Sequence, residues 1–224
     1  MLLAIDTSTR KMGIALYDGV QVQHESVWES RNHHTVELSP AIETALAQAG
    51  LGANDLEAVA VAIGPGSYTG LRIGLAVAKG LALANRAALI GVPTLDVIAY
   101  AQPVREKTLA AVLKAGRGRL AVGWYTARKK GGWKQKGEPE VLTPEELYGR
   151  IRKPTQICGE LDGETRKLLE RKHKNAILAS PAENVRRPSF LAELGWERWK
   201  KEDVDQPALI APQYLHTGGE PIPG

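Results

Sequence analysis

Four glycines fall within the eleven residues from Gly64 to Gly74, and their spacing limits what can surround them. Gly66, Gly70 and Gly74, then Ala78 and Ala82, recur at every fourth residue, so a helix would carry them as one ridge of small side chains. A glycine inside a helix costs up to about 1 kcal/mol against alanine. Two in consecutive turns therefore imply a compensating close approach of another backbone. Leu71, Leu75, Leu81 and Leu83 lie on other sides, so the helix expects neighbours on more than one face. The partner of the ridge is either the chain's own sheet or a separate helix, and the spacing leaves both open. A phosphate loop fits poorly, because Ser67-Tyr68-Thr69 opens the helix with no lysine before Lys79. The free N–H groups of the helix start can still attract an anion.

The order of elements around this helix narrows the fold. Leu2–Asp6, Met12–Tyr17 and Val20–Trp28 read as three strands, with Asp18-Gly19 as a hairpin turn. A helix over His34–Ala49 carries an apolar stripe of Leu38, Ile42, Ala45, Leu46 and Ala49, with Pro40 either starting or bending it. Leu56–Ile63 is a buried strand, Tyr68–Ala84 the glycine helix, Ala88–Val92 another strand and Leu95–Ala101 a helix. The second half repeats this order more weakly. Thr108–Lys114, Leu120–Tyr125 and a third strand ending near Val141 precede a helix whose start, Thr143-Pro144-Glu145-Glu146, is a capping box. Thr155–Cys158, a helix near Gly163–Lys172, a strand at Ala176–Ala179 and a helix over Pro188–Lys201 complete it. Two copies of β-β-β-α-β-α predict an α/β protein of the duplicated ribonuclease-H-like type, shared by actin, Hsp70 and sugar kinases, with a reduced second lobe. The expected lobes are residues 1–102 and 103–215, with the C-terminal part of the second able to pack back on the first. Residues 216–224 read as a disordered tail.

Composition excludes several classes. No run of about 18 apolar residues is present, and the N-terminal stretch lacks the basic start and long apolar core of a signal peptide. A single cysteine, Cys158, leaves no intrachain disulfide and no cysteine-rich zinc site, and reads as a small core residue. A cytoplasmic protein is expected. Charge is uneven: residues 1–100 hold six Lys/Arg against nine Asp/Glu, and residues 101–224 hold 23 against 16. The basic half is either a solvated surface or one that faces a phosphate backbone.

The segment GPGSYTGLRIG, continued by LAVAKGLA at Leu75–Ala82, resembles the signature of the TsaB family, also known as YeaZ. The opening LLAIDTST, the segment RNHHTVELSP and GVPTLD at Gly91–Asp96 are similar to that family too, and a fainter likeness returns at Pro212–Leu215. The resemblance implies an accessory subunit in making threonylcarbamoyladenosine on tRNA. Such a subunit binds a TsaD-type catalytic protein, is joined by a TsaE-type ATPase, and pairs with itself when alone. No cofactor of its own is implied, and ATP would enter at an interface of the complex. The catalytic paralogue carries a His-x-x-x-His metal pair where this chain has Thr94 and Ile98, and an isoleucine cannot ligate a metal. The expected partner surface is Leu38, Ile42 and Ala45 of the first helix with Tyr68, Gly70, Leu71, Gly74, Leu75 and Ala78 of the second. Lys114 and Arg119 stand where relatives carry acids.

Other candidates are weaker. Asp6, Thr7, Ser8 and Thr9 occupy the place where actin-type ATPases hold phosphate and magnesium, and also spell an ordinary Asx/ST turn. His33 stands four residues before Glu37, half of a metal site without a third ligand nearby. Ser67 has no adjacent histidine to serve a hydrolase. A stand-alone ATP-dependent kinase and a glycoprotease-like hydrolase are the rival readings.

Overall fold

The computed structural model describes all residues except 31–33, 173, 218–219 and 222–224, and it divides into two compact units. The first begins with β1 (Leu2–Asp6), β2 (Lys11–Tyr17) and β3 (Val22–Glu29), an antiparallel meander. Helix α1 (His34–Gln48) follows and runs through Pro40. Then come β4 (Ala58–Gly64), α2 (Tyr68–Asn85) and β5 (Ala88–Pro93), with β1, β4 and β5 parallel, giving the sheet order β3-β2-β1-β4-β5.

Strand alternation decides which helix each face receives. Leu3, Ile5, Met12, Ile14, Leu16, Val59 and Val61 point to one side, where α1 and α2 add Leu38, Ile42, Ala45, Leu75 and Ala78 to a single core. Between them in sequence lie Ala4, Gly13, Ala15, Ala58 and Ala60, which leave the opposite face shallow.

The second unit takes over at Leu95, inside α3 (Thr94–Tyr100). It contains β6 (Thr108–Lys114), β7 (Leu120–Ala127), β8 (Trp133–Gln135), β9 (Glu140–Leu142), α4 (Pro144–Arg150), β10 (Thr155–Gly159), α5 (Gly163–Glu170) and β11 (Ala176–Leu178). Its sheet order, β8-β7-β6-β10-β11, repeats that of the first unit strand for strand, parallel and antiparallel pairs included. The duplication read from the element order is therefore present in the pairing itself. One expectation needs correction: the third strand of this half is two strands. Gly137 and Pro139 interrupt it, and β8 and β9 pair separately with β7.

The unit boundary lies at Thr94/Leu95, whereas the sequence reading put it after residue 102. Leu95, Ile98 and Ala99 of α3 pack with Leu109, Ala111 and Tyr125, so the helix belongs to the second core. Within that core the Tyr125 hydroxyl donates to Asp96 at 2.7 Å, and burial raises the carboxyl pKa of Asp96 above its ordinary range. A group raised in the folded state favours folding at low pH and loses that contribution as pH rises through its folded value. Tyr125→Phe should cost about 1–2 kcal/mol at neutral pH, because it strips a half-buried carboxylate of its donor. The cost should shrink once Asp96 is protonated, which urea titrations at pH 7 and pH 4 would check.

Residues 187–213 return to the first unit. Helix α6 (Pro188–Trp199) lies on the shallow alanine face, where Gly195 meets Ala60 and Pro188 meets Gly13. Arg187 pairs with Glu25 on β3, while the Ser189 N–H donates to the same carboxylate at 2.9 Å. The following segment borders β5 and β4: Asp205 N–H donates to the Leu89 carbonyl at 2.8 Å and Gln213 N–H to the Ile63 carbonyl at 2.6 Å. In the stretch read as a tail, His216–Thr217 pairs with Glu220–Pro221, and 218–219 and 222–224 lie outside the described residues.

Candidate interaction face of the glycine helix

Helix α2 starts where Ser67 accepts the Gly70 N–H at 3.2 Å, so the serine serves as an N-cap. From that point the glycine ridge faces inward. A Cβ on Gly66 would collide with the Ser8 carbonyl, one on Gly70 with the Thr7 carbonyl, and one on Gly74 with the Thr7 hydroxyl. The Thr7 hydroxyl donates to the Gly70 carbonyl at 2.8 Å, and the Ser67 N–H donates to the Ser8 carbonyl at 2.7 Å. The missing side chains thus let the helix lie directly on the β1–β2 turn. Of the two partners that the spacing left open for this ridge, the structure supplies the first.

This placement corrects the expected partner surface. Leu38, Ala45, Leu71 and Ala78 are fully buried in the first unit, Ile42 and Leu75 are 4% exposed, and Gly70 and Gly74 are sealed against Thr7. The apolar stripe of α1 and the small ridge of α2 are the faces that build the chain's own core. Of the residues named, Tyr68 alone reaches the surface, where the Arg72 guanidinium lies 3.9 Å from its ring centroid.

Tyr68 begins a row on the opposite side of the same helix, and the rest of that row is not among the expected partner residues. Arg72, Ala76, Gly80 and Ala84 also recur every fourth residue, two positions out of step with the buried ridge, and all are exposed. Two positions correspond to about 200° of rotation, hence the far face. Half-buried Ile73 and Val77 flank this second ridge, Leu83 is 66% exposed, and nothing lies within 4 Å of where a Gly80 side chain would begin. On α1, Val36 is 65% exposed, and Ser39, Pro40 and Ala47 are exposed as well. Among the described residues, Ala76, Gly80, Leu83 and Ala84 on this face leave room for another helix to approach closely, beside Arg72 of the same row and the exposed Glu43, Thr44 and Gln48 of α1. The signal in the sequence was the second four-residue spacing, which the more conspicuous glycines obscured.

The turn proposed as a relict nucleotide site is spent on the fold. Asp6, Thr7 and Ser8 are at most 1% exposed. The Ser8 N–H donates to Asp6 at 2.9 Å, its hydroxyl shares a hydrogen bond with Thr94 at 2.8 Å, and its carbonyl lies under the glycine turn. Thr9 is half-exposed and accepts the Lys11 N–H at 3.2 Å. Gly66 lies against the Ser8 carbonyl and Gly70 against the Thr7 carbonyl, so the backbone of this turn is covered by the start of α2.

At the positions of the paralogue's metal pair, Thr94 is buried on Ser8 and Ile98 belongs to the core of the second unit. Among the described residues, no three His, Cys, Asp or Glu side chains cluster as metal ligands, and no helix is long and apolar enough to cross a membrane. His33 lies outside the described residues, and Glu37 accepts the Trp28 indole N–H at 3.0 Å. Cys158 is buried, and burial pushes its thiol pKa up, which suits a core residue.

Comparison with known proteins agrees with this architecture. The family described as TsaD, tRNA N6-adenosine threonylcarbamoyltransferase, matches residues 25–152. A curated relative from Bacillus subtilis, named tRNA threonylcarbamoyladenosine biosynthesis protein TsaB, is 31% identical over 96% of this chain and 93% of its own length. The protein of the same name from Escherichia coli is 34% identical over 71% of this chain and 68% of its own. Among solved structures, YeaZ from Pseudomonas aeruginosa superposes with a TM-score of 0.73 at 26% identity, covering 96% of this chain and 99% of that one. The ethanolamine utilization protein EutJ from Carboxydothermus hydrogenoformans shares the fold at a TM-score of 0.53 and 15% identity, covering 86% and 90%.

Proposed function

Because the chain belongs to the TsaB (YeaZ) family, we propose that it is a non-catalytic subunit of the assembly that makes threonylcarbamoyladenosine on tRNA. In this reading it binds a TsaD-type catalytic protein through the outer face of α2 and the neighbouring exposed part of α1. A TsaE-type ATPase joins the pair, ATP acts at an interface of the complex, and the same face closes a homodimer when the partner is absent. A patch left open on one copy is also open on a second, which is why self-pairing accompanies the proposal.

The observation that carries this reading is the outward ridge of Arg72, Ala76, Gly80 and Ala84 on a helix whose inner face is fully used. Gly80 in this row costs the helix up to about 1 kcal/mol against alanine, which a close contact on the outer face would offset. Thr94 and Ile98 support a non-catalytic role, since neither provides the imidazoles that the paralogue's metal requires. The closed Asp6–Thr9 turn weighs against a stand-alone kinase, and Ser67, committed to capping α2, against a serine hydrolase.

The test is a mixing experiment. The chain alone should neither consume ATP nor modify tRNA. With a TsaD-type protein it should co-elute as a complex, and with the TsaE-type ATPase, threonylcarbamoyl-adenylate and tRNA it should restore modification. ATP turnover or tRNA modification by this chain alone would overturn the proposal.

A further inference from the structure

The β7–β8 hairpin is a strongly basic surface of the second unit. Residues 128–137 contain Arg128, Lys129, Lys130, Lys134 and Lys136, without a single acid. All five are exposed. The turn is closed by the Gly131 N–H donating to the Arg128 carbonyl at 3.1 Å and the Arg128 N–H to the Gly132 carbonyl at 2.9 Å. Gly131 and Gly132 take φ of 90° and 75°, which only glycine adopts without strain, and no atom lies within 4 Å of where their side chains would start. The tip glycines therefore border open space. The base of the hairpin is anchored by Trp133, 8% exposed, whose indole N–H donates to the Gln102 carbonyl at 2.9 Å. Because Trp133 turns inward, Lys134 of β8 turns outward, and exposed Lys136 follows the strand directly.

Exposed Glu138 follows the hairpin directly, and the acids of this unit that form ion pairs do so with other cations. Among the described residues, the unit's ion pairs join Arg105 to Glu183, Arg150 to Glu140, Arg166 to Glu170 and Arg186 to Glu160. The Asp96 carboxylate, which accepts from Tyr125, also senses the charge of Arg128. Among the described residues, the ion pairs of this unit thus involve none of these five cations.

We infer that this hairpin is a contact for the phosphate backbone of RNA, and that tRNA is its occupant. The identity of the RNA rests on the proposed role in threonylcarbamoyladenosine synthesis. The chemistry rests on the ribbon itself. Protein interfaces are depleted in lysine and enriched in aromatic anchors, whereas backbone contacts to nucleic acid are made by lysine and arginine. The tip offers no exposed aromatic or aliphatic anchor, only long cationic side chains beside glycines. Contacts of this kind hold and orient the RNA without reading its bases.

The test compares two variants of the full chain with equal charge change. The first, Lys129→Gln, Lys130→Gln and Lys134→Gln, removes three cations of the hairpin. The second, Lys153→Gln, Lys167→Gln and Lys174→Gln, removes three exposed cations elsewhere in the same unit. Binding to fluorescently labelled tRNA is followed by anisotropy between 25 and 200 mM salt (roughly the range in which phosphate contacts are lost). The hairpin variant should bind at least about tenfold more weakly, with a salt slope shallower by about two to three, since each phosphate contact contributes about 0.7–0.9. The control should bind like the parent chain. Equal weakening of both variants, no weakening of either, or no binding by the parent would overturn the inference. Co-elution of each variant with the TsaD-type protein is measured in parallel. Loss of co-elution by the hairpin variant with tRNA affinity intact would reassign the ribbon to a protein contact. Failure of the parent to co-elute would instead count against the proposed role.

Discussion

Gly70→Ala and Gly80→Ala, the same substitution on the same helix, should move stability in opposite directions. At Gly70 the new methyl meets the Thr7 carbonyl, a backbone atom tied into the β1–β2 turn, and it disturbs the hydrogen bond from the Thr7 hydroxyl to the Gly70 carbonyl. Overpacking of this kind costs about 1–3 kcal/mol or more, which the better helix propensity of alanine offsets by at most about 1. A net loss of about 2 kcal/mol is expected. At Gly80 the methyl enters open space, and the propensity gain of about 1 kcal/mol stands alone. Urea midpoints should therefore separate by about 1 M or more, given slopes of about 2–3 kcal/mol/M for a chain of this size. The Gly70 variant should also keep its partner affinity per folded molecule, because its altered atoms never reach the surface. Two variants of equal stability would mean that the inner ridge is not tightly packed.

The contrast between those glycines marks what the sequence could and could not convey. The order β-β-β-α-β-α was readable twice because strand alternation and helical stripes are local patterns, carried by neighbours such as Leu3, Ile5, Met12 and Ile14. Close packing along Gly66, Gly70 and Gly74 was readable too, since glycine at that spacing has few other uses. The identity of the packing partner was not. Thr7 lies 63 residues from Gly70 in sequence, and no local pattern links them. The same reasoning explains Leu38, Ile42 and Ala45: an apolar stripe looks alike whether its own sheet or another protein covers it. Asp6 to Ser8 were legible as a turn with polar chemistry, but their burial depends on α2 descending onto them. The division of β8 from β9 was within reach, because Gly137 and Pro139 interrupt the strand.

If the outer ridge of α2 is the seat of the catalytic partner, Ala76→Arg should abolish most of the complex while sparing the fold. Ala76 is exposed, so a longer side chain there meets solvent in the isolated chain and should change stability by no more than about 0.5 kcal/mol. In a close helix–helix contact the same arginine has no room, and overpacking of about 1–3 kcal/mol corresponds to a tenfold to hundredfold weaker complex. Desolvating the guanidinium without a partner carboxylate adds to that loss. Val20→Arg is the matched control, because Val20 is 85% exposed in the turn between β2 and β3 of the same unit. Titration calorimetry with the TsaD-type protein should find Ala76→Arg weakened and Val20→Arg unchanged, and sedimentation of the isolated variants should find the homodimer lost only in Ala76→Arg. Were the two variants to bind alike, the small residues at Ala76, Gly80 and Ala84 would be an uncovered surface of no consequence for assembly. The partner site would then have to be sought away from this helix.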